Sequence, residues 1–281
     1  MRKLLIFFTM SAMVLCAASC KNKAENAEGK RLARVYDPQT EEAEQNYWGF
    51  YWTGNRLDSI SVFLLDPGQG ICNETFVYDE NGHIVSSAYA GHNTEYTYDG
   101  DKIVKIFSKL SNEMFACFNV TYEFEYQGDR ISRVLRTLET AIIGEEPTSN
   151  AMYTAYTWEG DKLVKEESGI VENGVMGPIN YVQYNTYDDN HNPYYKEGFM
   201  DFVNMFYPVP PFVNAYICSH NLLSVTSVKV DSTGATTDTA FASTFSYTYD
   251  EDGYPITGKC IHRNMMADST VSYNLAFEYV K

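Results

Sequence analysis

Five histidines carry the imidazole groups that acid–base catalysis or metal binding would use: His83, His92, His191, His220 and His262. No two of them stand at a His-x-x-x-His or similar ligand spacing. The run Asp188-Asp189-Asn190-His191-Asn192 offers oxygen ligands of the kind that calcium takes, but it lacks the longer loop and distal glutamate of an EF-hand. We interpret it as a solvated turn, and we expect no metal and no cofactor.

The serine and carboxylate residues also lack the spacing of a known catalytic motif. No serine stands in a Gly-x-Ser-x-Gly nucleophile elbow. The chain has 37 Asp and Glu residues, but no spacing selects the pair of carboxylates that glycoside hydrolysis needs. We therefore expect that the protein is not an enzyme, and no catalytic residue is assigned.

Tyrosines on the polar face of a strand are the more informative residues. When parity is counted from the predicted turns, Tyr51 and Tyr153 fall on the polar face, and Tyr184 is a third candidate. A tyrosine has a flat apolar ring and a polar tip, which suits contact with a sugar ring or a partner protein. We name these three as candidate ligand-binding residues. The alternative is that they are isolated surface tyrosines.

The strands that would position these tyrosines belong to a short sequence repeat. EYTYDGDKIVKI begins at Glu95, FEYQGDRISRV begins at Phe124, and AYTWEGDKLVKE begins at Ala155. Each unit contains an aromatic residue, a polar residue, Gly-Asp, a cation and then Ile or Leu. We interpret the repeat as a building block of a sheet rather than as a repeated ligand site.

A two-residue loop that begins with glycine is typical of a type II′ β-hairpin. In the unit at Gly100, such a loop sets Tyr98 opposite Ile103 and Asp99 opposite Lys102, and both pairs would stabilise the hairpin. The units at residues 78–84 and 249–255 are one residue longer. A left-handed glycine in a three-residue loop, followed by a bulge, would restore the same register.

The strands between the turns alternate with period two. Tyr122, Phe124 and Tyr126 share one face, and the glutamates between them share the other, so we predict a buried aromatic face and a wet polar face. Turn glycines at 54, 82, 100, 128, 160 and 253, with a degraded turn near 190–192, predict about fifteen strands. Because a sheet of this width curls or splits, we predict an all-β fold. It would be a large curled antiparallel meander, half-barrel-like, built of repeated hairpins.

One segment, residues 198–221, lacks period two. Phe199, Phe202, Val203 and Phe206 have helical spacing, and prolines follow at 208, 210 and 211. We predict a short helical and proline-containing insert that packs against the aromatic face.

The first residues, MRKLLIFFTMSAMVLCAASC, have a short basic start and an apolar run that is too short to span a bilayer. Ala17-Ala18-Ser19-Cys20 resembles the bacterial lipobox, and that resemblance implies cleavage before Cys20 and lipid attachment at Cys20. We therefore divide the chain into a signal peptide (1–19), a lipidated flexible tether (20–32) and a single β-repeat domain (33–281).

The formal net charge of the chain is −16, which repels phosphate backbones and makes nucleic acid a poor partner. Four cysteines lie beyond the lipobox: Cys72, Cys117, Cys218 and Cys260. Export would permit disulfides among them, in any of three pairings. We expect buried thiols, with two disulfides as the open alternative.

The Tyr-Asp turn units at 76–84 and 247–256 resemble the YD-type repeats of bacterial surface proteins. The wider layout adds the lipobox, YDDNHNPYY at 187–195, an apolar insert, SHNLLSVTS at 219–227 and a final FEY. This layout resembles a family of uncharacterised Bacteroidetes lipoproteins. The resemblance implies a large curled antiparallel sheet, described as porin-like, with no assigned activity or catalytic residue.

These observations predict a lipid-anchored binding module of the cell envelope, which holds a glycan or a protein partner. The alternative is a structural or assembly scaffold of the outer membrane with no small ligand. We expect an outer-membrane lipoprotein, whose surface or periplasmic orientation the sequence does not set. A transmembrane barrel is disfavoured because the polar face carries Glu95, Glu123, Glu125 and Glu278, whereas such barrels are apolar outside.

Overall fold

The computed structural model describes residues 30–39, 47–63, 71–89, 92–112, 116–142, 144, 146–195 and 217–280. In these ranges, sixteen antiparallel strands follow one another around one closed barrel. The first and last strands pair, with Val35 opposite Phe277, and this pairing closes the sheet. Within the described ranges, no helix has the length and hydropathy that a membrane crossing requires.

The strands differ in length, and the longest is the twelfth. Their bounds are β1 Arg31–Tyr36, β2 Tyr47–Thr53, β3 Arg56–Phe63, β4 Ile71–Tyr78, β5 Ile84–Tyr89, β6 His92–Asp99, β7 Lys102–Asn112, β8 Ala116–Gln127, β9 Arg130–Ile142, β10 Thr148–Glu159, β11 Lys162–Glu172, β12 Val175–His191, β13 His220–Val230, β14 Thr236–Tyr249, β15 Pro255–Asn264 and β16 Ser269–Val280.

The predicted all-β antiparallel meander is confirmed, but the predicted half-barrel is wrong because the sheet closes. Closure depends on β1, which pairs with β2 on one side and with β16 on the other. This strand begins at Arg31, before the predicted start of the domain at residue 33. It carries no turn repeat, and its pairing with β16 could not be predicted from the residues of β1 alone.

The predicted insert at 198–221 lies mostly outside the described residues, which resume at residue 217. The described end of that range is a turn followed by the start of β13 at His220. The tight turn predicted near 190–192 is also wrong. β12 continues through this region to His191, which pairs with His220 of β13.

The turn geometry agrees with the predicted hairpins. Gly100 has φ +60°, and the described non-glycine residues with positive φ are Asn173 and Asp268. A positive φ at the first loop position alone is the type II′ pattern. Tyr98 pairs with Ile103 and Asp99 pairs with Lys102, so the predicted register is confirmed.

Each of these hairpins also contains a β-bulge at the same place. On β7, Ile103 pairs with Tyr98 and Lys105 pairs with Thr97, which leaves Val104 as the extra residue. The equivalent residues of the other hairpins are Asp58, Val85, Ser132, Val164 and Ile256. A bulge increases the local twist of a strand. Each repeat therefore contains both a turn and a β-bulge. The added twist at the six bulges helps the wide sheet to close.

The aromatic residue before five of the six tight turns donates a hydrogen bond to the strand or hairpin that precedes it in the chain. At this end of the barrel, the backbone pairing between β7 and β8 stops at Lys105 and Glu123, so the carbonyl of Ile103 lies beyond the ladder. The hydroxyl of Tyr126 donates to that carbonyl. The same bond joins Trp52 to Leu32, Tyr78 to Leu57, Tyr98 to Ile84, Trp158 to Ile131 and Tyr279 to Pro255.

Four of the six turns are followed by a cation that reaches the neighbouring strand or hairpin: Arg56, Lys102, Arg130 and Lys162. The ammonium of Lys102 lies 5.4 Å from the ring centroid of Tyr126 and 3.1 Å from the carboxylate of Asp129. Lys102 and Asp99 are opposite in register, but the ion pair that the structure contains joins Lys102 to the next turn. The repeated charges therefore link hairpins around the rim of the barrel.

The two faces of the sheet have opposite character. Tyr122 and Phe124 of β8 are buried inside the barrel, whereas Glu123 and Glu125 are exposed outside. Tyr194, which follows β12, is 2% exposed and packs against Phe50 and Phe277 of strands that lie elsewhere in the barrel wall. The interior is thus an aromatic core.

Candidate functional site

Tyr51, the first candidate from the sequence, lies on the outer face of β2 and is 50% exposed. Its ring folds back along the strand over Gly49. A Cβ atom built on Gly49 would lie 3.1 to 3.4 Å from the ring and hydroxyl atoms of Tyr51. Because Gly49 has no side chain, the tyrosine ring lies close to the sheet and its other side is left to solvent.

Two further tyrosines lie on the same outer face beside Tyr51. The guanidinium carbon of Arg34 is 4.8 Å from the ring centroid of Tyr36 and 4.6 Å from that of Tyr47. In the register, Arg34 is opposite Gly49 and Tyr36 is opposite Tyr47. We call Arg34, Tyr36, Tyr47 and Tyr51 the tyrosine platform.

Polar side chains continue this outer face across the next two strands. Ser59 of β3 pairs with Tyr51 and with Thr75 of β4. Ser61 pairs with Gly49 and its hydroxyl donates to the amide oxygen of Asn73. The platform is therefore bordered by hydroxyl and amide groups, which donate and accept hydrogen bonds without a net charge.

Tyr153, the second candidate, is on the outer face but is not accessible. It is 8% exposed, and its hydroxyl donates to the carbonyl oxygen of Gly177 across 3.0 Å. Its ring covers Gly169, where a Cβ atom would lie 2.7 Å from the ring. The expectation that Tyr153 presents a wet surface is wrong, because the irregular start of β12 covers it.

Tyr184, the third candidate, is 45% exposed on the outer face of β12. It is opposite Lys165 and Thr226 in the register. Six strand positions separate β12 from β2 around the barrel, which at about 4.8 Å per strand is roughly 29 Å of wall. The structure does not bring Tyr184 and Tyr51 together.

The acidic run at 188–192 has a structural role. Asp188 accepts hydrogen bonds from the backbone N–H groups of Asn190 and Asn221 and from the hydroxyl of Tyr249. It thereby joins β12, β13 and β14 at the place where the tight turn is missing. In the described part of the chain, no group of three His, Cys, Asp or Glu side chains is arranged to hold a metal.

Sequence reasoning missed the carboxylates inside the barrel. Glu74 is 5% exposed, and its carboxylate accepts a hydrogen bond of 2.7 Å from the hydroxyl of Ser87. Burial raises the pKa of Glu74 to about 7. Glu74 has the same parity as Phe76 and Tyr78 on β4, so a carboxylate on the aromatic face was the available signal.

A second buried carboxylate lies on β11. Glu166 is 7% exposed and accepts hydrogen bonds from the side-chain amides of Gln183 and Asn185. Asn185 also donates to the carbonyl oxygen of Leu163, which takes the place of the aromatic bond found at the other hairpins. This network supports the wall next to the irregular β12–β13 connection.

The cysteines with described side chains are buried thiols. Cys218 and Cys260 are each 1% exposed and free, and burial raises the pKa of Cys260 to about 11. Both therefore remain protonated and unreactive at neutral pH. The side chains of Cys72 and Cys117 lie outside the described part of the structure.

The solved structures that are similar to this chain include two porin-like proteins. One is a porin-like protein from Bacteroides uniformis, with a TM-score of 0.49 and 11% identity over 88% of this chain and 95% of that chain. The other is a porin-like protein from Bacteroides vulgatus, with a TM-score of 0.43 and 12% identity over 90% of this chain and 99% of that chain. No family model and no curated protein matches the chain.

Proposed function

We propose that the protein is a lipid-anchored binding module of the cell envelope, and that the tyrosine platform holds a glycan. The observation that carries the proposal is the position of Tyr51, whose half-exposed ring lies over Gly49. An aromatic ring held flat against a sheet offers an apolar face on which a sugar ring stacks.

The surroundings of the platform favour a neutral polyhydroxylated ligand. Ser59, Thr75 and Asn73 border it with hydroxyl and amide groups, which donate and accept hydrogen bonds as sugar hydroxyls do. The guanidinium of Arg34 lies over the rings of Tyr36 and Tyr47, so a planar cation stands beside Tyr51 on the same face. The net charge of −16 disfavours nucleic acid at this face.

The anchor in this proposal is a lipid at Cys20, followed by the tether and a fixed entry into the barrel. Lys30 forms ion pairs of 2.6 Å with Asp250 and 2.7 Å with Asp252, in the β14–β15 turn. These contacts attach the start of the barrel to the tight-turn rim. The tether would therefore join the barrel at that rim.

A polar outer face supports a barrel held at the membrane rather than across it. Arg133 and Glu125 form an outer ion pair of 3.0 Å, and Lys165 and Glu167 form another of 2.7 Å. Lipid-spanning barrels have an apolar outer band and a polar lumen, which is the reverse of this arrangement. We propose the outer membrane as the location, with no enzymatic activity.

The second candidate function is a structural scaffold of the envelope. It is favoured by the rim, where the bond from Tyr126 to Ile103 and its equivalents link successive hairpins into a ring. Such a ring would make the barrel a stiff spacer. A scaffold needs no ligand at Tyr51.

The experiment is a screen of the detergent-solubilised full chain on an array of bacterial, host and dietary glycans, with hits titrated by tryptophan fluorescence. We expect Tyr51→Ala to weaken a hit by about tenfold or more, because a stacking ring contributes 1 to 2 kcal/mol or so. Val77→Ala, at a 55% exposed outer position of β4, is the matched control. A blank array, or a hit that is unchanged by Tyr51→Ala and Tyr47→Ala, would overturn the glycan proposal and favour the scaffold.

A further inference from the structure

The inner face of the barrel is buried along much of its described length, but large apolar side chains on it are exposed toward the end opposite the tight-turn rim, and three of them lie on neighbouring strands. Met152, Ile170 and Tyr181 are 39%, 46% and 37% exposed. They lie on the neighbouring strands β10, β11 and β12, toward the end of the barrel opposite the tight-turn rim. Large apolar side chains exposed together are the kind of surface that marks a binding site.

The register shows that these three side chains face the lumen. Met152 is opposite Ile170 on one side and Arg136 on the other. Arg136 is in turn opposite the buried Tyr122. On β11, Ile170 has the parity of the buried Glu166, since side chains two residues apart share a face.

Tyr181 joins the same surface from β12. It is opposite Ser168, whose hydroxyl lies 2.9 Å from that of Thr154 on the inner face. On its other side, Tyr181 is opposite Lys229 of β13. Lys229 has the parity of the buried Ser227 and Val225, so it also faces the lumen.

A cation therefore stands at each end of this apolar surface. We call the row Arg136, Met152, Ile170, Tyr181 and Lys229 the lumen strip. It crosses five neighbouring strands, which at about 4.8 Å per interval is roughly 19 Å. No ion pair within 4.0 Å is described for Lys229 among the residues that the structure covers.

The described carboxylates on the inner face lie away from the apolar surface or at exposed strand ends. Glu166 is buried deeper in the wall and is bonded to Gln183 and Asn185. Glu74 lies on β4, across the barrel. Glu172 lies at the exposed tip of the β11–β12 hairpin. Asp238 of β14 lies across from Lys229 in the register, but it is exposed and forms no ion pair with Lys229 within 4.0 Å. In a chain with a net charge of −16, two cations flanking an apolar surface are complementary to an anion with an apolar body.

We propose that the lumen strip binds an amphiphilic organic anion, a molecule with an acyl-like or ring-system body and a carboxylate or sulfonate group. The apolar body packs on Met152, Ile170 and Tyr181, which removes their surface from water. The acidic group pairs with Lys229 in a charge-assisted hydrogen bond. This site is separate from the tyrosine platform, which lies on the outer face.

The test uses isothermal titration calorimetry on the full chain carrying Cys20→Ala, prepared without detergent. The probes are dodecanoate, dodecyltrimethylammonium and dodecyl maltoside, each below its critical micelle concentration. We expect saturable binding of dodecanoate, with affinity at least about tenfold above that of the other two. We expect Lys229→Glu to weaken dodecanoate by a similar factor and to leave dodecyl maltoside unchanged.

Ile170→Ser should weaken dodecanoate binding as well, whereas Val77→Ser, an exposed apolar position outside the barrel, should not. Near-ultraviolet circular dichroism of each variant checks that the fold is retained. No saturable dodecanoate binding, equal affinity for the three head groups, or no effect of Lys229→Glu would overturn the proposal. So would concentration-dependent dimerisation that Ile170→Ser abolishes, because a second copy would then cover the strip. The glycan array tests the tyrosine platform on the outer face, whereas the calorimetry tests the lumen strip. A negative result in one experiment therefore leaves the other proposal standing.

Discussion

The hydroxyl of Tyr126 donates a hydrogen bond of 2.8 Å to the backbone carbonyl oxygen of Ile103, one hairpin earlier in the chain. Tyr126 precedes its own turn, and Ile103 follows the previous one. The repeated aromatic and the repeated aliphatic residue are thus the two ends of one bond between successive units. This relation explains why the repeat keeps both residues at fixed distances from the turn glycine.

Tyr126→Phe tests this bond, since it removes the hydroxyl and keeps the ring. We expect the free energy of unfolding to fall by about 1–2 kcal/mol, because the half-buried carbonyl of Ile103 loses its donor beyond the end of the ladder. Urea denaturation, monitored by circular dichroism, measures this change in the free energy of unfolding.

Tyr51→Phe is the matched control for that measurement. The hydroxyl of Tyr51 lies on the half-exposed outer platform, and we expect its loss to change stability by less than about 0.5 kcal/mol. Equal losses in Tyr51→Phe and Tyr126→Phe would show that the rim bond has no special role.

Gly169 is predicted to be the glycine least tolerant of a side chain. A Cβ atom at this position would lie 2.6 Å from the carbonyl oxygen of Pro178 and 2.7 Å from the ring of Tyr153. Gly169→Ala should therefore lower the free energy of unfolding by about 2–3 kcal/mol, the upper range for overpacking. Thermal and urea unfolding of the variant provide the measurement.

The double variant Gly169→Ala, Tyr153→Ala separates the two clashes. Removing the ring frees one contact, but the backbone oxygen of Pro178 remains in place. We expect no recovery of stability relative to Gly169→Ala alone. Full recovery would mean that the ring, and not the backbone of β12, sets the need for glycine.

Gly49→Ala should affect binding more than stability. The nearest atoms to a Cβ at Gly49 belong to the side chain of Tyr51, at 3.1 to 3.4 Å, and an exposed side chain can move away. We expect a stability change within about 1 kcal/mol. We expect the same variant to weaken any glycan ligand, because the ring of Tyr51 would tilt out of the platform. Glycan affinity equal to that of the unmodified chain would argue against stacking on a flat ring.

The local rules of this fold are readable from the sequence because they are short-range. The glycine at position 100, with the aromatic and aliphatic residues beside it, fixed the turn type and the register of Tyr98 with Ile103. The alternation of Tyr122, Glu123 and Phe124 correctly separated the inner face from the outer face. These features depend on neighbours within one hairpin, where backbone geometry decides the outcome.

The features that were missed depend on residues far apart in the chain. The barrel closes because β1 pairs with β16, and these strands come from opposite ends of the domain. Neither strand contains a sequence signal that predicts this pairing. The burial of Tyr153 depends on an irregular segment around Gly177 and Pro178, which shifts the register of β12. The platform around Tyr51 needs Arg34 and Tyr36 from β1, a strand whose first residues the sequence prediction placed in the tether.

Glu74 makes stability depend on pH in a window that follows from its burial. Its pKa is raised from 4.5 in the unfolded chain to about 7 in the barrel. Below pH 4.5 the carboxyl is neutral in both states, so burial carries no charge penalty. As the pH rises toward 7, the unfolded state ionises first and gains stability, so the free energy of unfolding falls. The shift corresponds to about 3 kcal/mol, fully expressed above pH 7.

Glu74→Gln removes this dependence, because an amide accepts the bond from Ser87 and does not ionise. We expect the variant to be more stable than the unmodified chain at pH 8, by up to about 3 kcal/mol, and to differ little from it at pH 4.5. Urea denaturation at a series of pH values between 4.5 and 8 measures the difference between the two proteins, in which contributions from other groups cancel. A difference that stays constant across this range would mean that Glu74 titrates at the same pH in the folded and unfolded chains. The carboxylate would then be reached by water inside the barrel.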